Sequence, residues 1–373
     1  MHKSGIANLP LHGGNCPRWL FPRMKKLGGA ISEIIINEYG TEEFLRRLAN
    51  PYFLQSLGCA IGFDWHSSGL TTTTLSALKE SLNKNNLGIK IAGGKGKASK
   101  NTLKEIEQYN FSLSESKIAR LKYSSRMCAK VDSVLIQDGY ELYHHCFILS
   151  EKGKWTVIQQ GMNSATKYAR RYHWLSENFA DFVDEPQNAI CCDKKGFTLD
   201  LTSKSSKTAR EVSLDLAKDN PNHLKKYFVK KFLNPPQQKT LFDFTGGRTL
   251  ELSMPSNHGI MDMNKRNLET LRIAYEYQPK TYEELVAFKG VGAKIIRSLA
   301  LISELVYGCG LSWKDPCRFS FALGGKDKIP YEINRKDYDE AVVILRNAVD
   351  CAKIGEDDKL NAIKRMEGLY VNC

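Results

Sequence analysis

The chain has 373 residues, and 54 lysines and arginines against 41 aspartates and glutamates give it a formal net charge of +13. At roughly 100 to 200 residues per domain, this length predicts two or three domains. No stretch approaches the ~20 uninterrupted apolar residues that cross a bilayer, so we expect no membrane association. The N-terminus lacks the apolar segment of a signal peptide, which favours a cytoplasmic location. The positive charge favours a polyanionic partner, DNA or RNA.

The ten cysteines are scattered along the chain and form no Cys-x-x-Cys pair. In a reducing cytosol such thiols stay free, so we expect mostly packed thiols. The adjacent Cys191 and Cys192 would point to opposite faces of a strand, and the spacing therefore does not indicate a zinc site.

Helical patterns alternate with short β-rich runs over residues 1–200, which predicts an α+β fold with a mixed α/β N-terminal domain holding the active site. A helix is predicted to begin at Thr41 and to end before Pro51. The runs Tyr140 to Leu149 and Lys154 to Gln160 are rich in aromatic and β-branched residues and flank a short polar turn. They predict a β-hairpin.

Two further regions follow. Residues 201–262 form a basic helical segment and an irregular connector, because Pro235 and Pro236 break the helical pattern. Residues 263–373 read as an all-α C-terminal domain. Basic residues also crowd between Lys84 and Lys130, which is typical either of a nucleic-acid surface or of an ordinary solvated face.

The C-terminal domain contains two short helical patterns joined by a glycine turn, from Thr281 to Gly308. Thr281 and Glu284 have the spacing of a capping box. Two glycines around one apolar residue allow a tight turn whose amides point at a phosphate oxygen, and flanking lysines add charge. The segment resembles a helix-hairpin-helix motif, and an ordinary αα-hairpin is the alternative. The predicted phosphate-binding residues are Lys289, Gly290, Val291, Gly292, Ala293 and Lys294.

The same segment is similar in outline to helix-hairpin-helix DNA glycosylases of the endonuclease III type. That resemblance implies a Schiff-base role for Lys294, with Asp315 near Arg318 as the supporting carboxylate. The residues around Asp315 depart from the usual Val-Asp-Thr-His surroundings of that family.

Histidines and carboxylates cluster in the first half of the sequence. On the predicted strand, alternation places Glu141, Tyr143 and His145 on one face and His144 on the other. Carboxylates and imidazoles can hold a divalent metal that activates water at a phosphodiester. We therefore expect Mg²⁺ or Mn²⁺ to be held by Asp138, Glu141 and His145. The candidate catalytic residues are Asp132, Asp138, Glu141, His145, Lys130, His66, Asp64 and His12.

A sheet nuclease of the restriction-endonuclease type would carry Glu-x-Lys on the next strand, where this chain has Ile158, Gln159 and Gln160. The sequence therefore leaves the nuclease class open.

Other cations complete the predicted nucleic-acid surface. A glycine-rich loop with two lysines precedes a predicted helix and suits a phosphate, although it lacks the Walker spacing. Two adjacent arginines are predicted on a helix that follows the β-hairpin, where a solvated helix face is the alternative. The residues concerned are Lys95, Lys97, Arg126, Arg170 and Arg171.

At full length the chain resembles an uncharacterised archaeal and bacterial family, domain of unknown function seven-six-three. The segments that carry the resemblance are Leu9 to Arg18, Gly62 to Gly69, Ala92 to Lys97, Gln137 to His145, Gln159 to Met162, Ala169 to Ser176 and Asp315 to Lys326. The resemblance implies no particular reaction. We expect a metal-dependent DNA nuclease acting in repair or recombination, with a non-catalytic DNA-binding adaptor and a glycosylase or lyase as alternatives.

Overall fold

The structure, a computed structural model, describes residues 16–63, 67–109, 111–178, 181–192, 194–224, 263–318, 335–352 and 354–370. Its helices in chain order are α1 (Leu20–Tyr39), α2 (Thr41–Ala49), α3 (Pro51–Ala60), α4 (Gly69–Leu82), α5 (Lys97–Lys100), α6 (Thr102–Gln108), α7 (Glu115–Val134), α8 (Lys207–Lys218), α9 (Pro221–Leu224), α10 (Lys265–Tyr277), α11 (Tyr282–Ala287), α12 (Ala293–Tyr307), α13 (Arg335–Cys351) and α14 (Glu356–Tyr370). Its strands are β1 (Ile89–Lys95), β2 (Ile136–Gln137), β3 (Glu141–Ser150), β4 (Trp155–Asn163), β5 (Tyr168–Leu175), β6 (Ala189–Cys191) and β7 (Leu199–Asp200). None of these helices is long and apolar enough to cross a membrane.

The chain forms two compact units that do not follow its linear order. Unit 1 comprises Met1–Ser133, Asp138–Gly196 and Asp315–Cys373, and unit 2 comprises Val134–Gln137 and Phe197–Lys314. The break between Gly196 and Phe197 falls near the predicted boundary after residue 200, whereas the predicted domain of residues 263–373 is divided, because the two C-terminal helices belong to unit 1. Leu345 and Val349 of α13 are completely buried in the hydrophobic core of that unit. The connector predicted before residue 262 lies largely outside the described residues.

Unit 1 is built on a five-stranded antiparallel sheet in the order β1-β3-β4-β5-β6. The mixed helix and sheet composition predicted from the sequence is confirmed. The predicted β-hairpin is also confirmed, as β3 and β4 pair directly.

One face of the sheet packs against helices, largely through apolar side chains. Its core includes Ile91, Ile148 and Ile158 together with residues from α1 to α4, α13 and α14. Burying this much apolar surface is the main favourable contribution to the stability of the unit. The helix predicted to begin at Thr41 is α2, and the side chain of Asn50 caps the next helix by accepting from the amide nitrogens of Tyr52 and Phe53.

The segment with Arg170 and Arg171 is a strand, so the prediction of a helix there was wrong. β5 pairs with β4 over eight residues, from Tyr168 opposite Asn163 to Leu175 opposite Thr156. Its aromatic residues suit a sheet, and tertiary pairing with two neighbouring strands outweighs the local preference for a helix.

A bulge in β3 overturns the predicted distribution of side chains between its faces. Leu142 pairs with Gly161 and His144 with Gln160, so Tyr143 is the extra residue between them. A bulge shifts the alternation by one residue. Glu141 and His145 therefore lie on opposite faces of the sheet rather than on one face.

Unit 2 contains α8 to α12 and the two-stranded sheet of β2 and β7. The predicted cap at Thr281 is present, since its hydroxyl accepts a hydrogen bond from the amide of Glu284 at 3.1 Å. α11 and α12 are joined by the predicted glycine turn.

Candidate functional site

The second face of the unit 1 sheet carries a buried polar network that joins β3, β4 and β5 to α7. At its centre is Asp132, whose side chain is completely buried. Its carboxylate accepts hydrogen bonds from Gln159 Nε2 at 2.5 Å, Trp174 Nε1 at 2.8 Å and Gln187 Nε2 at 2.8 Å. Burial raises the pKa of Asp132 to about 8, although these hydrogen bonds act to lower it. Asp132 is thus closed off from solvent and acts on neighbouring side chains.

His145 lies in the same network and uses both ring nitrogens. Nε2 is 2.8 Å from the Ser125 hydroxyl, and Nδ1 is 2.8 Å from Gln159 Oε1. Burial lowers the pKa of His145 to about 4, and the hydrogen bond to Gln159 offsets this in part. The imidazole is therefore neutral at pH 7.

A cavity of about 240 Å³ opens beside this histidine. Its wall includes Ser125, His145 and Gln159 from the network, and the exposed Lys100 and Arg126 lie at its edge. The segment predicted as a glycine-rich loop is mainly the end of β1, where Gly93 and Gly94 pair with Cys146 and His145 of β3. Gly93 has φ of 89°, and a Cβ on it would lie 2.2 Å from the carbonyl oxygen of His145, so only glycine fits there.

Asp138 and Asp315 are held by one buried arginine. Arg170 Nη1 donates to Asp138 Oδ2 at 2.8 Å and Nη2 donates to Asp315 Oδ2 at 2.6 Å. The Tyr172 hydroxyl also donates to Asp138 at 2.6 Å, and the amide of Gly196 donates to Asp315 at 2.8 Å. Burial raises the pKa of Asp138, while the Arg170 guanidinium acts to lower it. Charge-assisted hydrogen bonds of this kind hold both carboxylates in place.

Two cysteines beside this arginine form a cluster that the sequence did not reveal. Single ligand atoms of Cys192, Asp315 and Cys317 all lie within 4.8 Å of one another. Arg170 Nη2 lies 3.3 Å from Cys192 Sγ. Two sulfurs and a carboxylate at this spacing could hold a metal ion. Both thiols are free and buried, as expected from the sequence, but their grouping with Asp315 was not foreseen.

The predicted metal ligands Asp138, Glu141 and His145 are not brought together. Within the described ranges, Cys192, Asp315 and Cys317 are the one group of three such residues with closely spaced ligand atoms. The hydrogen bonds of Asp138 go to Arg170 and Tyr172, both nitrogens of His145 are engaged, and Glu141 is exposed on the other face of the sheet. A metal would have to displace these partners.

The other predicted catalytic residues are dispersed or lie outside the described residues. His12, Asp64 and His66 fall outside them. Lys130 is half-buried on α7, and burial lowers its pKa to about 8, with the charge of Arg126 acting in the same direction.

The predicted cationic residues of unit 1 divide into two groups. Lys95, Lys97 and Arg126 are exposed and available to an anion. Arg170 and Arg171 are almost completely buried, with Arg171 donating to Thr71 Oγ1 and Gln55 Oε1. The prediction that these two arginines contact nucleic acid is therefore wrong, because the sheet and its helices enclose them.

The glycine turn of unit 2 has the geometry that the sequence suggested. Gly290 has φ of 94°, Val291 is 2% exposed, and Gly292 precedes the first turn of α12 without a side-chain cap. Lys289 and Lys294 are exposed on either side of the turn. The valine anchors the turn, and Gly292 has no side chain that could cap the first turn of α12.

The lyase site implied by the glycosylase resemblance combined Lys294 with Asp315. Lys294 belongs to unit 2, and Asp315 to unit 1, where it is bonded to Arg170. This arrangement gives Asp315 a partner that the glycosylase resemblance did not include.

Fold and site define an α+β protein in which a buried polar network adjoins a cationic cavity. A family model described as "Protein of unknown function (DUF763)" matches residues 5–333. The chain belongs to this family. No curated protein and no solved structure matches it.

Proposed function

We propose that the protein binds the sugar-phosphate backbone of DNA or RNA through the turn between α11 and α12, which makes this pair a helix-hairpin-helix unit. The observation that carries the proposal is the conformation of that turn. Gly290 supplies a positive φ, and Val291 is buried, so the backbone at Gly292 faces outward. A Cβ added at Gly292 would meet no atom within 4 Å, which leaves room for a ligand.

Charge supports the same proposal. The amides at the start of α12 carry the positive end of the helix dipole, which favours a phosphate. Lys289 and Lys294 add two positive charges beside them, within a chain of net charge +13. Because backbone amides and lysines read phosphates rather than bases, we expect binding that is not sequence-specific.

The metal-dependent nuclease expected from the sequence has less support, because the proposed ligands bind protein groups instead. If unit 1 holds an ion at Cys192, Asp315 and Cys317, we propose zinc rather than Mg²⁺ or Mn²⁺. Thiolates are soft ligands that select zinc, whereas Mg²⁺ and Mn²⁺ prefer oxygen. Repair remains the proposed setting.

The proposal is tested with the full chain and labelled single-stranded and duplex DNA and RNA, by fluorescence anisotropy between 50 and 200 mM salt. The double variant Lys289→Ala with Lys294→Ala removes the two turn lysines. Lys207→Ala with Lys265→Ala is the matched control, since both are exposed in unit 2 outside the turn. Removing one lysine that neutralises a phosphate should lower the slope of log affinity against log salt by about 1.

We expect the turn variant to bind more weakly with a slope lower by about 2, and the control to match the wild type. Equal behaviour of the two double variants, or no binding to any nucleic acid, would contradict the proposal. The same samples incubated with Mg²⁺, Mn²⁺ or Zn²⁺ report cleavage, and borohydride trapping on abasic DNA reports a lyase. An adaptor binds but does neither.

A further inference from the structure

Four side chains of unit 1 form a continuous hydrogen-bonded chain that ends in the cavity. The Ser125 hydroxyl is 2.8 Å from His145 Nε2, and His145 Nδ1 is 2.8 Å from Gln159 Oε1. Gln159 Nε2 then donates to Asp132. Ser125 lies on α7, His145 on β3 and Gln159 on β4, so the sheet register and one helix set the geometry.

The hydrogen bonds of Asp132 determine which ring nitrogen of His145 carries the proton. Trp174 Nε1 and Gln159 Nε2 both donate to Asp132 Oδ2, and Gln187 Nε2 donates to Oδ1. With its NH₂ group directed at Asp132, Gln159 presents its carbonyl oxygen to His145. Nδ1 of His145 then donates to that oxygen, which leaves the Nε2 lone pair facing the Ser125 hydroxyl.

We propose that Ser125 is a nucleophile activated by His145, and that the adjoining cavity binds a phosphate ester. Ser125, His145 and Gln159 line the cavity, together with Lys100 and Arg126. Two cations at the edge of the cavity match the charge of a phosphoryl group. None of these residues belongs to unit 2, so the inference does not depend on the turn between α11 and α12.

A phosphate in the cavity would act on the adjoining His145. A phosphate anion favours the protonated form of its imidazole, whose pKa burial lowers in the absence of a ligand. The neighbouring His144 takes no part, because alternation along β3 places its ring on the opposite face of the sheet, where Gln160 and Arg171 lie.

The reaction runs in two balanced steps. His145 Nε2 takes the proton of Ser125 while Oγ forms a bond to phosphorus, and the ester oxygen leaves with that proton from Nε2. A water molecule then gives a proton to Nε2 and its oxygen to phosphorus, and Ser125 Oγ leaves and regains a proton from Nε2. Lys100 and Arg126 stabilise the phosphoryl oxygens, while Gln159 and Asp132 are positioning residues that hold the tautomer.

The test uses the purified full chain with 4-nitrophenyl phosphate, bis(4-nitrophenyl) phosphate and 4-nitrophenyl acetate, in the presence of EDTA. A fluorophosphonate probe followed by peptide mass spectrometry identifies reactive serines. Ser125→Ala removes the nucleophile, and Ser124→Ala is the matched control because Ser124 is buried on the same helix but does not line the cavity. Thermal unfolding shows that each variant is folded.

We expect hydrolysis of at least one phosphate ester and probe attachment at Ser125. Both should fall at least about 100-fold in Ser125→Ala and in His145→Gln, and neither should change in Ser124→Ala. Absence of hydrolysis together with an unlabelled Ser125, or hydrolysis that survives Ser125→Ala, would overturn the proposal. Hydrolysis of the acetate alone would overturn the assignment to phosphate esters.

The positioning role has a separate readout. In Asp132→Asn the new amide can donate to Gln159, which lets that glutamine turn its NH₂ towards His145 and reverse the tautomer. ¹⁵N spectra of histidine-labelled protein should show His145 Nε2 unprotonated in the wild type and protonated in the variant, with a lower rate. An unchanged tautomer with an unchanged rate would remove Asp132 and Gln159 from the mechanism.

Discussion

Replacing Arg170 with methionine should destabilise unit 1 strongly. The guanidinium is 1% exposed and pairs with Asp138 and Asp315 at 2.8 and 2.6 Å. Methionine preserves much of the side-chain volume but leaves two buried carboxylates without their cation. Removing one partner of a buried ion pair typically costs about 3 to 5 kcal/mol, because the remaining charge is uncompensated. We expect a loss of that size in the free energy of unfolding at pH 7.

The loss should shrink as the pH is lowered. Without Arg170 the pKa of Asp138, already raised by burial, rises further above its value in the unfolded chain. A carboxyl group whose pKa is raised by folding contributes stability at low pH, and this is lost as pH rises through the folded value. Urea unfolding followed by circular dichroism at pH 7 and pH 5 measures the difference between variant and wild type. Each unit of pKa change corresponds to about 1.36 kcal/mol.

Arg126→Met is the control for this experiment. Arg126 is exposed, and a surface substitution of this kind usually changes stability by less than about 0.5 kcal/mol. The reasoning is refuted if Arg170→Met costs less than about 1 kcal/mol at pH 7 or if its deficit does not change between pH 7 and pH 5. Arg170→Met should affect nucleic-acid binding only through unfolding, since the side chain is enclosed.

Three further predictions concern other parts of the molecule. Gly290→Ala should lower the stability of unit 2 by about 1 to 2 kcal/mol, because the φ of Gly290 is 94°. Gly292→Ala should cost much less, because the φ of Gly292 is −131°. Equal losses of stability in thermal unfolding of the two variants would contradict this. Mass spectrometry of metal content should find zinc in the wild type and in Cys351→Ser but not in Cys192→Ser, and a wild type without zinc after loading would remove the metal proposal. Burial lowers the pKa of His145 to about 4, so its contribution to stability is lost as the pH falls below about 6.5. Between pH 6.5 and 5 the free energy of unfolding of His145→Gln should therefore fall less than that of the wild type. Equal shifts of the urea midpoint in the two proteins would contradict this.

Local features of the fold were predictable because adjacent residues determine them. Asn50 with Pro51 separates α2 from α3, and the polar turn from Ser150 to Lys154 joins the two strands of the hairpin. The turn around Val291 follows from two glycines and one apolar residue in succession. In each case the cap or turn involves contacts within a few residues.

Site residues were harder to assign from the sequence, because the face on which a strand residue lies depends on how that strand pairs with its neighbours. The bulge at Tyr143 is visible only from the pairing of β3 with β4, and it placed Glu141 and His145 on opposite faces. Ser125 and Gln159 were not among the predicted catalytic residues, because neither stands in a recognisable motif. The polar pattern around His145 was the one signal that pointed to this region.

The sequence alone determined the net charge, the hairpin strands, the helix caps and the lysine-flanked turn at Gly290 and Val291. Only the tertiary structure buried Arg170 between two carboxylates, joined Ser125 to His145, and brought Cys192 within reach of Cys317, 125 residues further along the chain. The physical reason is the distance along the chain between the residues that interact. Caps and turns depend on neighbours in the chain, whereas burial, ion pairing and active-site geometry depend on residues that meet only after the sheet and its helices have packed.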